Sequence, residues 1–151
     1  MTGRLAILGA GGHGRVVADC AECLGRSDIV FFDDNARARP PGPWALAGTG
    51  EDLLAEVSGF DAFIVGIGIN RIRLVRHQAL IAAGGTATTL IHPAATVSRH
   101  ATVGAGASAR EGTIIGRDVV VGAGSVVVRN LPDCVTVVGN PARELMRSTD
   151  A

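Results

Sequence analysis

Aliphatic residues recur at every sixth position through the second half of the chain. The series is Ile91, Val97, Val103, Ala109, Ile115, Val121 and Val127. Four positions after each of the first six members stands a small or branched residue, namely Ala95, Ala101, Ala107, Thr113, Val119 and Ser125. Repeats of this kind form short strands joined by corners, and the aliphatic side chains point into a core shared by stacked coils. The pattern predicts a parallel β-helix.

The predicted β-helix is short. If three strands close one triangular coil, residues 91–126 supply only two coils. Repeat units bury their apolar faces on neighbours, so about three or more are usually needed for a stable fold. The N-terminal half, the tail after Val127 or other subunits must therefore cover the ends. Because symmetric assembly provides such a cover, we predict a homotrimer formed through β-helix contacts.

The first half of the chain follows a different pattern. Residues 5–8 form an apolar run, residues 9–14 are rich in glycine, and apolar positions then recur at helical spacing until Leu24. A second apolar run, residues 29–32, ends in two aspartates. This order predicts a strand, a glycine loop, a helix and a second buried strand.

The pattern continues to the start of the hexapeptide repeat. It first predicts an irregular loop over 35–49 with Pro40, Pro41 and Pro43, and then a short helix over 51–57 capped by Thr49. A strand over 60–67, a helix from Arg71 to about Ala83 capped by Asn70, and a strand over 86–91 follow. Alternating strands and helices indicate a small parallel sheet with helices on both faces. We therefore expect an α/β domain of residues 1–90 followed by a β-helix domain of residues 91–151.

Composition and charge argue against several classes of function. The 14 basic and 14 acidic residues balance, and no basic run or aromatic cluster indicates a nucleic-acid partner. No apolar stretch reaches a membrane span, and the N-terminus does not resemble a signal peptide, so we expect a cytoplasmic protein that does not bind membranes. Cys20 and Cys23 form a C-x-x-C within a helical pattern, which favours core packing over a redox or metal pair. Cys134 is alone, and we predict no metal site.

The glycine loop carries the first candidate chemistry. Glycines at 9, 11 and 14 followed about 20 residues later by Asp33 are typical of a dinucleotide-binding fingerprint. Free N–H groups at the helix start attract a phosphate oxygen, and an acidic residue can bind a sugar hydroxyl. The predicted ligand-binding edge of the sheet gathers Gly11, Gly12, His13, Gly14, Asp33, Asp34, Gly66, Gly68 and Asn70. Turn geometry and strand capping remain alternative roles for the glycines and aspartates.

Five motifs occur in order along nearly the whole chain. They are Gly-Ala-Gly-Gly-His-Gly at 9–14, Phe-Phe-Asp-Asp at 31–34, Ile-His-Pro at 91–93, the hexapeptide coils, and Val-Val-Gly-Asn-Pro-Ala-Arg at 137–143. Together they resemble the acetyltransferases of nucleotide-linked amino sugars and sialic acids, such as the bacillosamine-pathway N-acetyltransferase and the sialic acid O-acetyltransferases. The resemblance implies a Rossmann-like domain that binds a UDP- or GDP-sugar, a left-handed β-helix, and a trimer that binds acetyl-CoA between neighbouring helices.

The resemblance also implies roles for individual residues. The loop from Gly11 to Gly14, including His13, would approach the nucleotide sugar, Asp33 and Asp34 would contact its nucleoside, and Asn70 would line the pocket. The predicted acetyl-CoA residues are Gly122, Gly124, Asn140, Pro141 and Arg143.

One departure from the family concerns catalysis. Members of the family carry an Asn-Thr-Gly-like stretch followed by Asp-His-Asp or Asp-His-Glu, and its histidine is the general base. This sequence lacks that segment. Residues 103–107 resemble the start of the family's helix and residues 108–116 its end, as if whole coils were missing between them. His13 and His100 remain as catalytic candidates, whereas His77 lies in a helical pattern and is expected to be solvated.

Three functions therefore compete. The first is an acetyl-CoA-dependent acetyltransferase, which the resemblance favours. The second is a shortened, non-catalytic form that keeps nucleotide-sugar binding and a trimeric scaffold, which the missing base favours. An NAD-dependent oxidoreductase is a distant third, because the chain offers no second domain with a plausible site for hydride transfer.

Overall fold

The computed structural model describes residues 3–35, 37–40 and 42–145. Its first part is a four-stranded parallel sheet with the strand order β3-β2-β1-β4. The strands are β1 (Leu5–Leu8), β2 (Ile29–Phe32), β3 (Ala45–Gly48) and β4 (Ala62–Val65). Because β1, β2 and β4 are buried on both faces, each reads as a continuous apolar run in the sequence.

Helices cover both faces of this sheet, as predicted. Helix α1 (Gly12–Cys23) packs its Val17 and Ala21 on one face, against Ile7 and Phe31. The other face is covered by α2 (Gly50–Glu56) with the short 3₁₀ turn Val57–Gly59, and by α3 (Asn70–Ala82). Alternate strand residues thus belong to two apolar layers, one on each face of the sheet, which is the arrangement of a small Rossmann-like fold.

Two strand predictions were wrong. The predicted loop over 35–49 contains β3, which pairs with β2 at the edge of the sheet. Its residues are exposed or half-buried, and the apolar residues there follow a stretch rich in proline, which favoured a loop over a strand. Within the predicted strand over 86–91, Ala87 forms only an isolated bridge with Phe63, and Leu90–Ile91 (β5) joins the β-helix instead. Pro41, also predicted to lie in that loop, is outside the described residues.

The two predicted helix caps differ in outcome. Thr49 caps α2 in a capping box, in which its side chain accepts a hydrogen bond from the Asp52 N–H and the Asp52 side chain accepts one from the Thr49 N–H. The prediction for Asn70 was wrong. Ile69 occupies the N-cap of α3, and Asn70 is the first helical residue, with its side chain bound elsewhere.

The second part of the chain is a short left-handed parallel β-helix. Its two-residue strands are β5 (Leu90–Ile91), β6 (Thr96–Val97), β7 (Thr102–Val103), β8 (Ser108–Ala109), β9 (Ile114–Ile115), β10 (Val120–Val121) and β11 (Val126–Val127). Residues 18 positions apart, such as Val103 and Val121, are partners in parallel sheets. The predicted register is confirmed, because Ala109, Ile115, Val121 and Val127 all lie in the shared core.

Part of the tail after Val127 adds a third coil. Leu131 bridges to Ile115, and β12 (Thr136–Val138) pairs with β10. Strand β13 (Arg143–Glu144) then returns antiparallel to β12. This segment provides one of the covers that two coils require. Residues 146–151 of the predicted β-helix domain lie outside the described part of the chain.

Helix α1 covers one face of the β-helix as well as the sheet. Val17 of α1 shares a core cluster with Leu90 of β5, and Val126 of β11 is 5% exposed. The gap between α1 and the β-helix, lined also by Cys20 and Ser108, is only about 20 Å³. Cys20 is therefore a packing residue. Burial, and to a smaller extent the electrostatic effect of the neighbouring Cys23, raises the pKa of the Cys20 thiol to about 11. None of the helices in the described residues is long and apolar enough to cross a membrane.

Candidate functional site

Some glycines of the predicted loop are in close backbone contact, and others have free space beside their Cα atoms. Gly9 has a φ of +111°, and a Cβ on Gly14 would overlap the Gly9 carbonyl oxygen. A Cβ on Gly66 would lie 2.7 Å from the Gly14 Cα. These glycines are required because three backbone segments meet there. Added Cβ atoms on Gly11 and Gly12 would meet nothing within 4 Å, so a ligand can approach at these two residues.

The two predicted aspartates are both engaged in structural contacts. Asp33 accepts hydrogen bonds from the Ala10 N–H at 2.7 Å and the Asn35 N–H at 2.8 Å, which ties the glycine loop to the end of β2. Asp34 accepts one from the Gly50 N–H at 2.8 Å and pairs with Arg76 at 2.9 Å. The Asp34 side chain is still 58% exposed and can be reached by a ligand.

His13 is half-buried at the start of α1. Burial, assisted by the positive charge of Arg73, lowers the pKa of its imidazole from 6.5 to about 4. The ring is therefore neutral at pH 7 and keeps one nitrogen as a hydrogen-bond acceptor.

Arg73 is the central buried cation of this region, with 5% of its surface exposed. Its Nε donates to the carbonyl oxygen of Gly124 at 2.8 Å, and its Nη1 donates to that of Ile67 at 3.0 Å. Nη1 also reaches the Gly68 carbonyl oxygen at 3.4 Å, and Nη2 donates to Asn70 Oδ1 at 2.8 Å. One side chain thus joins the β4–α3 loop to a corner of the β-helix.

A cavity of about 310 Å³ lies between α3 and the β-helix. Its lining consists of Asn70, Arg73, Leu74, His77, Gly122, Ala123, Gly124, Val138 and Gly139. It brings Asn70, predicted to bind substrate, together with Gly122 and Gly124, predicted to bind acetyl-CoA. The other three predicted cofactor residues, Asn140, Pro141 and Arg143, do not line it, although the Asn140 N–H donates to Asn70 Oδ1 at 2.6 Å.

The expectation that His77 is solvated was wrong. Its ring centroid lies 5.6 Å from that of Phe63, and a Cβ on Gly106 would lie 2.7 Å from its Cε1. Burial lowers its pKa. The sequence did contain a signal, because Asn70, Arg73, Leu74 and His77 follow the i, i+3, i+4, i+7 spacing of one helix face.

The remaining histidines lie at other positions. His100 is exposed in the corner between β6 and β7, where its backbone N–H donates to Ser98 Oγ at 3.3 Å. The β-helix side of the cavity is the corner that follows β10 and β12, so the structure does not bring His100 to it. The Nδ1 of His92 accepts a hydrogen bond from the Ala94 N–H at 3.1 Å. Among the described residues no group of three His, Cys, Asp or Glu could hold a metal ion.

Similar proteins are acetyltransferases. The acetyltransferase domain of PglB from Neisseria gonorrhoeae, solved in complex with acetyl coenzyme A, matches with a TM-score of 0.69 and 28% identity, covering 94% of this chain and 98% of that one. A serine acetyltransferase from Synechococcus elongatus is 47% identical over 57 residues, which are 38% of this chain and 22% of the relative.

A third relative acts on a nucleotide sugar. It is the dTDP-3-amino-3,6-dideoxy-alpha-D-galactopyranose 3-N-acetyltransferase from Aneurinibacillus thermoaerophilus, which is 49% identical over 47 residues, 31% of this chain and 24% of the relative. The matches to these curated relatives span only about a quarter of their length. The family described as the PglD N-terminal domain matches residues 4–88, more than half of the chain. The chain belongs to the PglD N-terminal domain family.

Proposed function

We propose that the protein is an acetyltransferase that moves an acetyl group from acetyl-CoA to the amine of a nucleotide-linked sugar. The observation that carries this proposal is the cavity that joins Asn70, at the ligand-binding edge of the sheet, to the β-helix corner at Gly122 and Gly124. The similar Neisseria domain binds acetyl coenzyme A, and the Aneurinibacillus relative acetylates a dTDP-amino sugar. Both support the two ligand classes.

The ligands would occupy two sides of this junction. In the α/β domain, residues 1–90, the open backbone at Gly11 and Gly12 would bind the phosphates, and Asp34 is accessible to the nucleoside. His13 and Asn70 would border the sugar. In the β-helix domain, residues 91–151, Gly122 and Gly124 would border acetyl-CoA, with Asn140, Pro141 and Arg143 further along it.

The proton acceptor is proposed separately. His77 lines the cavity and its pKa is lowered by burial, so its neutral ring can accept the proton that the attacking amine loses. Positioned general bases contribute about 10²- to 10⁴-fold to a rate. Because the family's catalytic segment is absent, we expect turnover slower than in relatives that carry it, and a rate that His100→Ala leaves unchanged.

We further infer a homotrimer and a cytoplasmic location. Ile114 and Val120 point outward from the β-helix and are 50% and 41% exposed, so another subunit could cover them. Acetyl-CoA and nucleotide sugars are cytoplasmic metabolites, which agrees with that location.

The test combines binding with turnover. Thermal shift measured separately with acetyl-CoA, a panel of UDP-, GDP- and dTDP-amino sugars, and NAD should raise the melting temperature with the first two classes only. A thiol-release assay should then detect turnover that His77→Gln lowers at least tenfold. Binding of both ligands without turnover would favour the non-catalytic scaffold, whereas stabilisation by NAD alone would contradict the proposal.

A further inference from the structure

The side-chain amide of Asn70 has only one possible orientation. Its Oδ1 lies 2.8 Å from Arg73 Nη2 and 2.6 Å from the Asn140 backbone nitrogen. Guanidinium and backbone N–H groups can only donate hydrogen bonds, so the atom between them must be the acceptor. Turning the amide over would set its NH₂ against two donors. The Nδ2 group must therefore point away from Arg73 and Asn140.

The position of Nδ2 places this donor at the cavity. A Cβ on Gly139 would lie 2.7 Å from Nδ2, and Gly139 and Asn70 line the cavity together. The guanidinium of Arg73 is committed to backbone carbonyl oxygens and to Asn70 Oδ1. Leu74, Ala123 and Val138 make much of the remaining lining apolar. A hydrogen-bond donor in such surroundings is available to an acceptor atom of the ligand, because few polar groups of the lining can bond to it instead.

We propose that Asn70 Nδ2 donates a hydrogen bond to the carbonyl oxygen of the acetyl thioester and stabilises the oxyanion formed during transfer. Arg73 and the Asn140 N–H act as positioning groups that fix the donor. This inference rests on the proposed function. It gives Asn70 a role toward the acyl donor, beyond lining the sugar pocket.

The reaction balances with this donor in place. The amine nitrogen of the sugar attacks the thioester carbonyl carbon and forms the C–N bond, while the C=O π pair moves to the oxygen facing Nδ2. The pair then returns, the C–S bond breaks, and CoA leaves as a thiolate. The proton lost by the amine passes to His77 and ends on the thiolate, giving an amide and free CoA.

Pre-positioning sets the expected size of the effect. Removing one donor from an oxyanion site typically lowers kcat by about 10²- to 10³-fold. Asn70 is held by two hydrogen bonds before any ligand binds, so it needs little reorganisation during the reaction.

The decisive variant is Asn70→Asp, which is nearly isosteric. One carboxylate oxygen can still accept from Arg73 and the Asn140 N–H, so the fold is retained, but the cavity-facing donor becomes an acceptor. We expect kcat to fall about 10²- to 10³-fold while the KM for acetyl-CoA and the Kd for CoA change less than threefold. Asn130→Asp is the matched control, since Asn130 Oδ1 also accepts a backbone N–H, from Ile114 at 2.9 Å, away from the cavity.

A spectroscopic measurement supplements the kinetics. With acetyl-CoA labelled with ¹³C at the carbonyl, the bound thioester stretch should lie at lower frequency in wild type than in Asn70→Asp. Unchanged kcat and an unchanged stretch in Asn70→Asp would overturn the inference while leaving the acetyltransferase proposal intact. A parallel loss of CoA affinity would also overturn it, because the donor would then serve the CoA arm. If wild type bound neither acetyl-CoA nor CoA, the proposed function itself would fail, and this inference with it.

Discussion

Acidification should destabilise the protein through His13. The pKa of its imidazole is about 4 in the folded chain against 6.5 for a free histidine, so between these values the unfolded chain binds more protons. The His13 contribution to the free energy of unfolding is therefore nearly constant above pH 6.5 and becomes unfavourable as the pH drops toward 4. Each unit of pKa displacement corresponds to about 1.4 kcal/mol, which gives a loss of about 2 kcal/mol between pH 7 and pH 5.

Urea unfolding at pH 7 and pH 5, at one chain concentration, measures this loss. His77, whose pKa is also lowered by burial, contributes in the same direction, so the comparison is made with His13→Gln. On acidification that variant should lose less stability than wild type, and the difference should equal the His13 contribution. His100→Gln is the control and should keep the wild-type difference because it retains His13. An identical pH dependence in His13→Gln and wild type would refute the argument from burial and Arg73.

Four further predictions concern folding, nucleotide-sugar binding and assembly. Gly14→Ala should abolish soluble expression, because its Cβ would overlap the Gly9 carbonyl oxygen. Gly12→Val should fold normally but lose the thermal shift with nucleotide sugars. Unchanged sugar affinity in Gly12→Val would place the phosphates elsewhere. Thr49→Ala should lower the free energy of unfolding by about 1 kcal/mol through loss of the capping box, as measured by urea titration, and an effect below experimental error would argue against that cap. Sedimentation equilibrium should report three chains per particle, and a stable monomer at micromolar concentration would contradict the trimer.

The sequence reveals those parts of the fold that a repeated or enclosed environment dictates. Each inward position of the β-helix faces a narrow core, so the aliphatic register from Ile91 to Val127 is visible without a structure. The third coil is harder to predict, because its spacing changes. Val121 pairs with Val137, whereas an unbroken hexapeptide period would place Gly139 opposite it. Edge strand β3 is likewise hard to predict, since its short apolar run follows a proline-rich stretch and no face of the strand is fully buried.

The candidate site is less accessible to sequence reasoning for a different reason. Asp33 and the glycine loop belong to one local motif, but the roles of Arg73 and His77 depend on contacts with residues far along the chain. Arg73 is buried because Gly124, 51 positions later, offers its carbonyl oxygen, and His77 lies against Gly106. A polar helix face is ordinarily solvated, so its spacing alone did not reveal that it meets the β-helix.

The pairing of residues 18 positions apart also restricts how the length of this protein can evolve. Losing or gaining one complete coil between paired strands returns every later side chain to its original face of the triangular helix. A change of one or two hexapeptides would keep the aliphatic period but move all later strands onto a different face. Gly124 would then no longer reach Arg73, and α1 would meet a different set of strands. Viable length variants should therefore differ by whole coils, so the β-helix can change in length without disturbing its junction with the α/β sheet.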